Sequence, residues 1–100
     1  MKANIAIQIL PNTSDEDEVV RIVDLVIDYI KSTGLTYYVG PCETAIEGDN
    51  FEELMQIATK CHQIALDAGS SSVSAYIKTG YKPSGSSLTI EKKVTKHHEK

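Results

Sequence analysis

The sequence predicts an α+β domain with a ferredoxin-like βαββαβ order, in which two helices cover one face of an antiparallel sheet and a short C-terminal helix follows. The order of strand-like and helix-like segments is the first observation that predicts it. The second is a strand at residues 3–10 whose isoleucines alternate with other residues, and the third is a pair of segments with apolar residues at helical spacing. One hundred residues leave room for one domain, so we expect residues 1–100 to form it, with a frayed tail from about residue 95.

The first half of the chain supplies a strand and a helix. Ile5, Ile7 and Ile9 lie on one side of the strand at 3–10, and Pro11 ends it. The helix is expected from about residue 17 to 32, before Gly34. Its apolar surface is wider than a helix packed on one sheet requires, because further apolar residues flank the buried stripe: Val20, Leu25, Ile27 and Tyr29.

The second half supplies three strands and the second helix. Residues 35–39 and 44–47 are rich in strand-forming residues, and Gly40-Pro41 between them indicates a hairpin. A helix is expected over 51–68 and a strand over 73–79. After a loop at 80–87, Thr89 is expected to begin the short final helix.

Charge and cysteine content limit the kinds of partner. Ten basic and 14 acidic residues give a net charge of −4, which argues against a nucleic-acid partner and favours a cationic ligand. The sequence shows neither a membrane-spanning run nor a cleavage signal, so we expect a cytoplasmic protein with reduced thiols. Cys42 and Cys61 lack metal-ligand spacing, and we expect no metal site.

Strand parity predicts which side chains lie on the face that the helices leave open. If the isoleucines of the first strand face the helices, Gln8 faces away from them. The same parity places Tyr38, Glu43 and Tyr76 on the open face, together with Lys78. Thr44 is expected to face the helices, unless a bulge at Pro41 turns it outward.

Two interpretations of this polar face remain open. In the first, it is a surface covered by water or by another subunit, and Glu43 pairs with Lys78. In the second, it is a small-molecule pocket in which a carboxylate and an amide hydrogen-bond a flat heterocycle and aromatic rings stack on it. The chain shows no nucleophile and base in a recognisable arrangement, so we expect no catalysis.

Four segments resemble the thiamine-binding protein family, which is related to the YkoF-type hydroxymethylpyrimidine/thiamine binders. They are residues 4–11, 29–35, 40–48 and 89–94, and the most specific is Glu43-Thr44-Ala45-Ile46-Glu47-Gly48. The resemblance covers nearly the whole chain. It implies that thiamine or its pyrimidine moiety binds as a ligand without catalysis or a further cofactor, and that subunits assemble through their sheets into dimers or tetramers.

Parity and resemblance together predict the binding residues. Glu43 and Gln8 would hydrogen-bond the aminopyrimidine, Tyr38 or Tyr76 would stack on a ring, and Thr44 would add a hydroxyl group if a bulge turned it toward the pocket. The alternative is an oligomeric interaction or assembly module without a small-molecule ligand. A third hypothesis, an enzyme acting on a thiamine precursor, lacks a nucleophile–base pair.

Overall fold

The structure, a computed structural model, describes residues 2–84 and Ile90. Its elements follow the predicted β-α-β-β-α-β order: β1 (Ala3–Pro11), α1 (Glu16–Ser32), β2 (Thr36–Val39), β3 (Thr44–Gly48), α2 (Phe51–Asp67) and β4 (Val73–Tyr81). The ferredoxin-like fold class is therefore confirmed. The expected C-terminal helix lies outside the described residues, apart from Ile90.

The four strands form one antiparallel sheet in the order β2-β3-β1-β4. β1 and β3 are thus the central neighbours, as the topology predicts. β1 pairs with β4 along all nine of its residues, but its pairing with β3 runs only from Ala3 to Ile7. The end of β1 beyond Ile7 therefore has a strand neighbour on one side only.

The core lies between the sheet and the two helices. Ile5, Ile7 and Ile9 are buried against the apolar stripes of α1 and α2, which include Val26 and Leu54. Because side chains alternate along a strand, the residues between these isoleucines face away from the helices. The predicted division of the sheet into a covered face and an open face is confirmed.

The hairpin between β2 and β3 keeps a regular register. Val39 pairs with Thr44, and the next pair outward is closed by a hydrogen bond of 2.8 Å from the Gly40 N–H to the Glu43 carbonyl oxygen. A Cβ atom at position 40 would lie 2.8 Å from that oxygen, so glycine allows this close approach. The hairpin has no bulge, and Thr44 keeps its place on the helix side.

β4 extends two residues beyond the expected end at residue 79. Gly80 and Tyr81 continue the ladder by pairing with Asn4 and Ala3. The Asn4 side chain lies over Gly80, where an added Cβ atom would meet its Nδ2 atom at 2.9 Å. A glycine in a strand usually signals a break, but here it makes room for an amide on the open face.

Shortening one core side chain should destabilise this fold. Leu54→Ala removes part of a side chain that is fully buried, so we expect a loss of about 2–5 kcal/mol in the free energy of unfolding, measured by urea denaturation. Leu66→Ala is the matched control because Leu66 lies on the same helix and is 39% exposed. Its loss should be about 0.5 kcal/mol. Equal losses in the two variants would contradict this description of the core.

Candidate functional site

Four of the five predicted binding residues line one or both of two cavities. Gln8, Glu43 and Thr44 line a cleft of about 320 Å³ on the helix side. Tyr38 and Glu43 line a separate cavity of about 310 Å³ on the open face, so Glu43 borders both. Tyr76 lines neither cavity and is 68% exposed.

The helix-side cleft, which we call the hairpin cleft, exists because β3 is shorter than β1. Its floor is the end of β1 that β3 does not reach, one wall is α1, and the other wall is the hairpin at residues 39–44. Apolar side chains of α1 form much of the first wall: Val19, Val20, Val23, Val26, Ile27 and Ile30. Its volume and largely apolar lining are typical of small-molecule sites.

Two residues that line the cleft carry uncharged polar side chains, Thr44 and Gln8. Thr44 is buried and lies on the helix side, opposite Ile7. Neither its hydroxyl group nor the Gln8 amide takes part in the side-chain hydrogen bonds found among residues 2–84 and Ile90. Gln8 pairs with Tyr76 across the sheet, yet it borders the cleft because no β3 residue lies beside it. Both groups can therefore bind a ligand without breaking an internal side-chain hydrogen bond.

The charges along the hairpin cleft are negative. Asp24, exposed on α1, and Glu43 are the charged residues in its described lining, which includes no Lys or Arg. Carboxylates accept hydrogen bonds and attract cations. The cleft therefore suits a ligand that carries amine donors or a positive charge.

The cavity on the open face already contains a cation. The Lys78 Nζ atom lies 2.7 Å from the Glu43 Oε1 atom, which is the ion pair that the sequence raised as an alternative. The Lys78 side chain is largely exposed, and such pairs contribute about 1 kcal/mol or less to stability. A positively charged ligand would therefore meet less repulsion in the hairpin cleft than in this cavity.

Part of the open face is covered from within the chain. Glu47 is buried there, and its Oε2 atom accepts a hydrogen bond of 2.8 Å from the Ile90 N–H. Ile90 is itself buried and borders the cavity. Burial of a carboxylate is costly without a partner, so this hydrogen bond offsets part of the cost of placing Glu47 in the sheet.

Sequence reasoning did not place Asp24 or Cys42 in a site, although both line the hairpin cleft. The unusually wide apolar surface of α1 was the signal that could have found this wall. Val20 and Ile27, which widen that surface, line the cleft. The missing information was the position of the hairpin relative to α1.

The part of the chain that the structure describes contains neither a metal-ligand cluster nor a membrane-spanning helix. No three His, Cys, Asp or Glu side chains there are grouped as a metal site would require. No helix within residues 2–84 combines the length and apolar character needed to cross a bilayer.

Comparison with known proteins identifies the family of the chain. The model of a family described as thiamine-binding protein matches residues 5–98. The chain belongs to the thiamine-binding protein family. The resemblance seen in the sequence is thereby confirmed.

Individual proteins are similar to this chain over nearly its whole length. A UPF0045 protein of Clostridium perfringens is 38% identical over 94 residues, which cover 94% of this chain and 95% of the relative. The structure of DUF77, a domain of unknown function from Bacillus cereus, matches with a TM-score of 0.84 and 30% identity over 99% of this chain and 92% of that one. A candidate thiamine biosynthesis/salvage protein of Thermotoga maritima matches with a TM-score of 0.82 and 28% identity over 98% and 100% of the two chains.

The two cysteines should differ sharply in reactivity. Burial raises the pKa of the Cys61 thiol to about 11, whereas Cys42 is exposed at the hairpin cleft. Because the thiolate is the reactive form, we expect a maleimide at pH 8 to modify Cys42 in the folded protein and Cys61 only after unfolding in urea. Mass spectrometry measures both sites, and Cys42→Ser should leave the folded protein unmodified. Modification of Cys61 at a similar rate without urea would contradict this arrangement.

Proposed function

We propose that this protein binds thiamine or its hydroxymethylpyrimidine moiety in the hairpin cleft, in the cytoplasm and without catalysing a reaction. The observation that carries the proposal is the gathering of Gln8, Glu43 and Thr44 along a mainly apolar cleft with no basic residue in its described lining. Membership of the thiamine-binding protein family supports the choice of ligand.

The polar groups of the cleft complement an aminopyrimidine. The Glu43 carboxylate can accept a hydrogen bond from the exocyclic amine, and the Gln8 amide and Thr44 hydroxyl can donate to ring nitrogens. The proposal assigns the ring faces to aliphatic side chains of α1 such as Val20 and Val23, because Tyr38 and Tyr76 do not line the cleft. Stacking on either tyrosine, as the sequence suggested, would require a ligand on the open face.

Charge supports the same location. Thiamine carries a permanent positive charge on its thiazolium ring, and Asp24 and Glu43 border the cleft. The net charge of −4 favours approach of a cation from a distance. Glu43 would give up some of its interaction with Lys78 to face the ligand, at a cost of about 1 kcal/mol or less.

Self-association through the sheet belongs to the proposal as well. Tyr38 and Tyr76 are exposed on the open face at 38% and 68%, and aromatic side chains of this kind are enriched in interfaces. A dimer or tetramer formed there would cover them and would leave the hairpin cleft, on the other side of the sheet, accessible.

Calorimetry with thiamine and one carboxylate variant tests the binding site. Glu43→Gln keeps the size of the side chain but removes a charged acceptor, so we expect thiamine to bind roughly 10- to 100-fold more weakly. Glu52→Gln changes the net charge equally at an exposed position in the first turn of α2, outside the cleft, and should bind as the unmodified protein does. Equal affinities for the two variants, or no heat with thiamine at high micromolar concentration, would contradict the proposal.

The cysteine at the cleft provides a control for location. Thiamine bound in the hairpin cleft should slow the modification of Cys42 by a maleimide, while Cys61 stays unmodified. Binding detected by calorimetry without any effect on Cys42 would place the ligand elsewhere. Recovery of the thiamine unchanged would agree with binding without catalysis.

A further inference from the structure

The N–H and C=O groups of successive β1 residues point alternately to the β3 side and the β4 side of the strand. Two hydrogen bonds show which residues point to which side. The Lys2 carbonyl oxygen accepts from the Lys82 N–H at 2.7 Å, and the Asn12 N–H donates to the Ser72 carbonyl oxygen at 3.2 Å. Both bonds point toward the β4 side and continue the unbroken register of that pair. The N–H and C=O groups of one strand residue point to the same side, and successive residues alternate. The main-chain groups of even-numbered β1 residues therefore point toward β4, and those of odd-numbered residues point toward β3.

This alternation makes Ile9 exceptional. Ile7 is the last odd-numbered residue of β1 with a partner on β3, since the β1–β3 ladder ends at Ile7 and Thr44. Ile9 is next, and the position opposite it falls in the turn at Pro41-Cys42. None of the main-chain hydrogen bonds outside the ladders of the described residues uses Ile9. Its N–H and carbonyl groups therefore point into the gap between β1 and the hairpin, which is the floor of the hairpin cleft.

Unpaired main-chain groups at a buried wall favour a ligand that satisfies them. Ile9 is a buried residue that lines the cleft, and buried N–H and C=O groups are almost always hydrogen-bonded in native proteins. A flat ring with an amine next to a ring nitrogen offers a donor and an acceptor side by side. It can thereby replace the single residue of a partner strand that would exchange two hydrogen bonds with Ile9.

We propose that the main chain of Ile9 is the specificity-determining element of the cleft, with its carbonyl group accepting from the exocyclic amine of an aminopyrimidine and its N–H donating to the adjacent ring nitrogen. The inference rests on the proposed function and deepens it. It assigns selectivity to the amine-bearing ring and gives the thiazolium ring no part in selectivity. Glu43, Gln8 and Thr44 then add affinity around a donor–acceptor pair that no side-chain substitution removes.

Two thiamine analogues separate the contributions of the rings. Pyrithiamine keeps the aminopyrimidine and replaces the thiazolium ring, so calorimetry should find its affinity within about threefold of thiamine. Oxythiamine carries an oxo group in place of the amine and a hydrogen on the adjacent nitrogen, which opposes donor to donor and acceptor to acceptor. We expect it to bind roughly 100-fold more weakly or worse. Equal affinities for thiamine and oxythiamine would overturn this inference and leave the proposed function standing, whereas failure of thiamine to bind would contradict both.

Hydrogen exchange followed by NMR separates the main chain from the surrounding side chains. The Ile9 amide should exchange rapidly in the free protein and at least tenfold more slowly with saturating thiamine. The Ile7 amide is the matched control because it lies within the β1–β3 ladder, and it should be slow in both states. If thiamine binds by calorimetry while Ile9 exchange does not change, or if Ile9 is already protected without ligand, the main-chain assignment is overturned.

Discussion

The difference in length between β1 and β3 is the constraint on which the rest of this structure depends. β1 has nine residues and β3 has five, and the hairpin turns away at Pro41-Cys42. The last residues of the central strand β1 are therefore left without a neighbour on their β3 side, under the wall that α1 provides. A longer β3 would fill the space with a strand, pair Ile9 and remove the hairpin cleft. The regular register at Gly40 and Glu43 holds the turn in this place.

Glu43 connects the two faces of the sheet at this point. It borders the hairpin cleft on one side and forms an ion pair with Lys78 on the other. An exposed ion pair is weak enough for a cationic ligand to compete with it. Binding in the cleft would then alter the charge environment of Lys78 on the open face, where we place the assembly surface. A single side chain thus gives the two proposed activities a physical link.

The sequence predicted the fold closely because the patterns that specify it are local. Alternating Ile5, Ile7 and Ile9 define the covered face of β1, and parity carries that division to the other strands. The site was harder to predict, since parity indicates which face a side chain occupies and not where a strand lacks a neighbour. Thr44 and Gln8 come together at the cleft from opposite faces, because both lie where β3 ends. That meeting depends on the hairpin register and on the position of α1, which are tertiary features.

A crystal structure of the protein with thiamine tests the central claim most directly. The account predicts electron density for the aminopyrimidine ring on the floor of the hairpin cleft, within hydrogen-bonding distance of the Ile9 main chain and close to Glu43. Density on the open face between Tyr38 and Tyr76, with the cleft filled by water, would contradict it.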